Sequence, residues 1–227
     1  MGFFSRKKAN EDGTDEDVLA EDSASEESPG VGPWDELDHP DRGELLDAGA
    51  LWLPTIQGAT IQFSVDQRRK IVLGAVYIKN NSALQLQAFA APKSAGLWDD
   101  IRAELISAIA AQGGRSRQVD GEYGPEVLAT MPTQDKTKSN PVRYVGIDGP
   151  RWLLRATVTG KGATDNAAAS AILHEVLDSV VVVRGQSPHP PRDLLALEVP
   201  KQKTDGESPE APKLSLPARG PEISEVR

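Results

Sequence analysis

Arg143 and Arg155 are the residues of this chain best suited to grip a ligand. They flank the turn Asp148-Gly149-Pro150, in two segments, 142–147 and 151–159, that read as the arms of a β-hairpin. With those three residues as the loop, Ile147 faces Arg151, Val145 faces Leu153 and Arg143 faces Arg155. The other parity then pairs Gly146 with Trp152, Tyr144 with Leu154 and Val142 with Ala156. Like charges opposed across strands cost up to about 1 kcal/mol, so this pairing demands compensation. Two guanidinium groups could clamp a phosphate, a carboxylate or an acidic partner. An acidic side chain of a neighbouring helix (Asp99, Asp100 or Glu104) or plain solvent would serve as well.

Other constellations carry less chemistry. His39, His174 and His189 are scattered, and no two have metal-ligand spacing. No Gly-x-Ser-x-Gly elbow accompanies the serines. Gly113-Gly114 and Gly160-Lys161-Gly162 match no phosphate-loop pattern, and the first reads as a helix C-cap. Asp99 and Asp100 are adjacent, so on a helix they point different ways and suit its positive end better than acid–base work. The expectation is no catalytic residue, no metal and no cofactor. Trp98 and Trp152 read as core aromatics. Trp34, in Gly32-Pro33-Trp34-Asp35, either docks back on its own domain or anchors a partner.

These side chains need elements to hold them. Ile61, Phe63 and Val65 alternate with polar residues, and Leu84 to Ala90 repeat the pattern. Ile71 to Ile78 is apolar on both parities, which predicts a strand covered on each face. Asn80-Asn81-Ser82 is a turn between them. A helix over about 96–112 follows, with Ser94 as N-cap and Leu97, Ile101, Leu105, Ala108 and Ile109 as its apolar stripe. Strands near 115–119 and 126–130 flank the turn 120–124. A second helix runs from about Asp165 to Asp178 with Ile172, Leu173, Val176 and Leu177 inward, and Val180 to Val183 suit a strand. The segment Pro188 to Pro200 is expected to wrap over the body. The fold class is α+β: a mainly antiparallel sheet of about six to eight strands with two amphipathic helices packed on it, and disordered N- and C-terminal tails.

Composition sets the domain limits. Residues 1–42 carry thirteen acidic and four basic side chains, whereas 43–227 carry twenty-one of each sign. An acidic, apolar-poor stretch cannot bury enough surface to offset its chain entropy, so 1–42 reads as a disordered leader. Residues 43–199 read as one domain, and 200–227 as a disordered tail. There is no cysteine, which removes disulfides and thiolate chemistry and suits a cytoplasmic setting. No apolar run is long enough to cross a bilayer, and the start matches neither a signal peptide nor the myristoylation pattern. A neutral body behind an acidic leader argues against nucleic acid as partner.

Six motifs carry a resemblance. Gly32-Pro33-Trp34-Asp35, Ala83 to Pro92, Gly96 to Glu104, Asp148 to Arg155, Val180 to Gly185 and Pro190 to Leu195 look like an uncharacterised actinobacterial family, domain of unknown function 3710. The likeness spans residues 32–199 and implies a cytosolic setting but no mechanism. The element order is also similar to the Mog1/PsbP-like fold, whose members are mostly binding or assembly factors. The expected function is a non-enzymatic binding or accessory protein acting through protein–protein contacts. The alternative is a small anionic-ligand module, or a cofactor-independent enzyme, with a pocket near Arg143 and Arg155.

Overall fold

Short turns and period-two apolarity build most of this molecule, as its computed structural model shows over residues 32–93, 96–133 and 139–200. Those residues all belong to one compact unit. Along the chain come β1 (Trp34–Asp35), β2 (Leu46–Asp47), β3 (Leu51–Leu53), β4 (Thr60–Asp66), β5 (Ile71–Lys79) and β6 (Ser82–Ala90). Helix α1 (Trp98–Ala111) precedes β7 (Arg115–Gly121), β8 (Gly124–Pro132), β9 (Ser139–Gly149) and β10 (Trp152–Gly160). Then come a 3-10 turn (Lys161–Ala163), α2 (Asn166–Leu177), β11 (Val181–Val182) and β12 (Leu194–Leu195).

The fold is α+β, as its pattern predicts. The main sheet runs β4-β5-β6-β10-β9-β8-β7, every neighbouring pair antiparallel, and β12 adds an eighth strand alongside β6. β5 pairs with residues 82–86 of β6, and β12 takes over the same edge at Ala88 and Phe89. A smaller sheet, β1-β11-β3-β2, holds the one parallel pair among the described residues, β1 with β11.

The two helices lie on opposite faces. Even-numbered residues of β6 and β10 (Leu84, Leu86, Ala88, Leu154, Ala156, Val158) meet α2 and the small sheet in the larger core. α1 covers the other face through Leu97, Trp98, Ile101, Leu105 and Ile109, against Leu153, Tyr144, Val127 and Ala129. Each fully buried side chain of this size adds about 1.5–3 kcal/mol, so both layers are needed. Trp98 lies on Gly146, where any Cβ would overlap its ring. Ala108, assigned to the inward stripe, is exposed; Ile106 packs in its place.

Several sequence expectations need correction. The body starts before residue 43. Trp34 and Asp35 form β1, and the Trp34 N–H donates to the Val180 carbonyl at 2.9 Å. The hairpin register is also different. Gly149 pairs with Trp152, so the turn is Pro150-Arg151, with Arg151 at φ 66°, and Arg155 faces Gly146 while Arg143 faces Val158. Asp148 is drawn into β9 because its carboxylate accepts from the Leu97 N–H (2.6 Å) and the Trp98 N–H (3.1 Å), capping α1 from another strand. The shift from the expected pairing is three residues, an odd number, so it moves the two arginines to opposite faces. β5 is covered on one face only: Ile78 is 39% exposed. The leader up to residue 31, the tail from 201 and the expected cap Ser94 lie outside the described residues.

Candidate functional site

Arg143 sits inside. It is 7% exposed, between β8 and α2, and donates to the Glu126 carboxylate at 3.1 Å and to the Asn166 side-chain oxygen. Glu126 is 2% exposed. Burial pushes its carboxyl above the usual range, and the Arg143 guanidinium pulls the other way. Such a pair holds because both partners are present; removing one strands a buried charge. The Nε of Arg143 has no partner.

Row geometry then extends the cluster. Arg117, Leu128 and Arg143 stand side by side across β7, β8 and β9, and Arg115 stands beside Thr130 in the next row on that face. Two adjoining cavities of about 400 Å³ each share Arg117, Leu128, Arg143 and Asn166. One end is lined by Arg115, Thr130 and Thr164 and the other by Asp120, Glu122 and Ser170. The cleft is therefore basic at one end and acidic at the other.

At the acidic end α2 presents Asn166, Ser170, His174 and Asp178, four residues apart, to the β7–β8 hairpin. The Ser170 hydroxyl donates to Glu122 at 2.9 Å, and His174 Nε2 lies 2.8 Å from the same carboxylate. The Tyr123 hydroxyl donates to Asp178 at 2.5 Å, with His174 Nδ1 3.1 Å from Asp178. Burial, then the Asp178 carboxylate, drives the Tyr123 hydroxyl far above its ordinary pKa, so it stays a donor. These groups satisfy one another and latch the hairpin tip to the helix. In the sequence His174 reads only as one of three scattered histidines. Its signal was Asp178 four residues on.

Arg155 occupies the opposite face. Its guanidinium stacks 5.0 Å from the Phe89 ring centroid and donates to the Gln87 side-chain oxygen at 2.6 Å. Burial lowers its pKa, and its Nε also lacks a partner. Arg143 and Arg155 thus share no ligand, and the two-arginine clamp does not exist. The acids nominated to offset them serve other cations: Asp99 pairs with Arg102, and Asp100 and Glu104 with Arg192.

Around Arg155 the outward face of β4, β5, β6 and β10 lies beyond α1. Its rows read Thr60-Ile78-Ala83-Thr159 and Gln62-Val76-Gln85-Thr157, followed by Gln87 beside Arg155. Arg155 is the one charged side chain in those rows.

Trp34 is folded back. Its indole N–H donates to the Asp178 carbonyl at 3.0 Å and its ring packs on His39 at a centroid distance of 4.0 Å. Asp35 beside it is 5% exposed and accepts from the Trp152 indole at 2.6 Å. The Gly-Pro-Trp-Asp motif thereby pins the first strand to the end of α2 and to the hairpin. Among the described residues no group of three or more His, Asp or Glu side chains is placed to hold a metal ion.

No helix among the described residues is long and apolar enough to cross a membrane. No curated protein and no solved structure matches the chain. A family match covers residues 32–206, from the Gly-Pro-Trp-Asp clasp through both helices and β12. The chain accordingly belongs to the family described as "Protein of unknown function (DUF3710)".

Proposed function

We propose that this is a non-enzymatic binding protein that engages a protein partner through the outward face of β4, β5, β6 and β10. One observation carries the reading: a sheet face whose rows hold Arg155, stacked on Phe89, as their one charged side chain, with Thr60, Gln62 and Ile78 exposed along it. Interface cores are poor in Lys, Glu and Asp and rich in aromatic residues and arginine. β5 adds to this, since its sequence is apolar on both parities yet only one side is covered, leaving Val76 and Ile78 outward. A sheet face turned to water ordinarily alternates towards charged and polar residues. Here the side chains are glutamine, threonine and aliphatic. The buried and titratable groups elsewhere are engaged with one another in the α2 seam, which suits a scaffold better than a catalyst.

Affinity capture with the full chain tests the reading. Thr157→Glu puts a charge in the middle of the face, and Ala103→Glu puts one on the exposed side of α1. A partner retained in stoichiometric amount by wild type and by Ala103→Glu should be lost with Thr157→Glu, while circular dichroism shows all three folded. Retention by all three would move the interface elsewhere, and no stoichiometric partner at all would remove the reading.

A further inference from the structure

The basic end of the cleft on the other face has no part in that reading. We propose that it binds the phosphate group of a small phosphorylated molecule, with Arg115, Arg117 and Arg143 as the cationic wall. Arg115 and Arg117 are two residues apart on β7, so both side chains leave the same face of the edge strand. The row pairing sets Arg143 in line with Arg117, one strand beyond Leu128. Three guanidinium groups therefore converge on one cavity of about 400 Å³, within the size range of small-ligand pockets. No acidic residue lines that cavity.

Two of the three charges are not spent elsewhere. Glu126 answers Arg143, but Arg115 and Arg117 form no ion pair among the described residues. Nearby like charges repel, and a dianion with several acceptor oxygens is the ligand that reverses the sign of that interaction. Arg143 supplies the built part of the site. It is held at 7% exposure by Glu126 and Asn166, and its buried Nε has an N–H with nothing to donate to. An unmet buried donor is costly, and Arg143 is itself among the residues that line the cavity. Asn166 gives its oxygen to Arg143, which leaves the amide N–H groups free to donate, and Thr130 lines the same wall. Every donor named suits a phosphate. A neutral ligand would leave two arginines unanswered.

Nuclear magnetic resonance of the full chain, titrated with inorganic pyrophosphate at fixed ionic strength, tests this, with citrate as a carboxylate of comparable charge. Pyrophosphate should give saturable shifts at the amides of Arg117, Thr130, Arg143 and Asn166. Arg117→Ala, at an exposed position, should weaken binding about tenfold or more, in keeping with one lost charge-assisted contact. Arg155→Ala, on the opposite face, should leave it unchanged. Unsaturable shifts, equal binding of citrate, or equal loss in the two variants would each overturn the proposal. Should Arg117→Ala perturb the fold, Arg115→Gln supplies the same comparison from the neighbouring row.

Discussion

The hairpin β9–β10 carries one arginine on each arm, and the two live in different worlds. Arg143 is enclosed between β8 and α2 with a carboxylate partner, whereas Arg155 is half-buried on the opposite sheet face over an aromatic ring with no carboxylate partner. The difference comes from neighbours rather than from the arginines. On the closed side β8 brings Glu126 alongside, so the cation can be covered. On the open side the adjacent strand offers only Gln87 and Phe89, neutral groups that suit a half-covered cation. A charge is buried where its counter-charge shares the sheet, and stays near water where it does not.

Breaking the closed side should show this most strongly. Arg143→Met leaves Glu126 buried and unpaired, and should cost about 3–5 kcal/mol in urea unfolding. Replacing both, Arg143→Met with Glu126→Leu, should recover most of that loss. Equal destabilisation by single and double variants would deny that the pair is the cause. Next in size is Asp148→Ala, which removes the acceptor for two helix N–H groups. It should cost about 1–2 kcal/mol and raise amide exchange in the first turn of α1, with α2 unaffected. Arg155→Met should cost only about 0.5–1 kcal/mol, since a partly buried cation with no carboxylate partner loses one ring contact and one hydrogen bond. A cost as large as that of Arg143→Met would erase the contrast between the faces.

The smallest effect is one of sign. Asp165 caps α2 by accepting from the Ala168 N–H at 3.2 Å, and that bond holds its carboxyl below the ordinary range. Its stabilising share is complete above about pH 4, and is lost as acidification passes its lowered folded value. Glu126 behaves oppositely: burial raises its carboxyl, so its share is greatest in acid and is lost as pH rises through the raised folded value. Carbon-13 titration of the two carboxyls should find Asp165 below and Glu126 above their unfolded values.

Much of the scaffold was legible because it is periodic. The alternation of Leu84 to Ala90 and the stripes of the two helices each state which side faces inward. β1, β2, β11 and β12 are two residues long, and no period can be read from a pair. The hairpin register failed for a tertiary reason. Asp148-Gly149 has the composition of a turn, but the Asp148 side chain serves α1 and keeps both residues in β9. The Glu126–Arg143 pair was hidden because it depends on the β8–β9 register, which sequence spacing alone does not fix. Trp34 reads in the sequence as an aromatic with a docking choice, and spacing alone does not reveal that its indole bonds the end of a helix 144 residues away.

The fork on β6 sets a limit on how the chain can be shortened. Where β5 turns aside, Leu194 and Leu195 close the gap, and Leu197 bonds onward to Val72 while Glu198 bonds to Ala48. A protein ending before Asp193 would open a sticky seam through the centre of its largest layer, inviting the same stretch from a second molecule to fill it. The stretch from Asp193 to Glu198 is therefore the fold's zip, and two copies lacking it have every reason to clump.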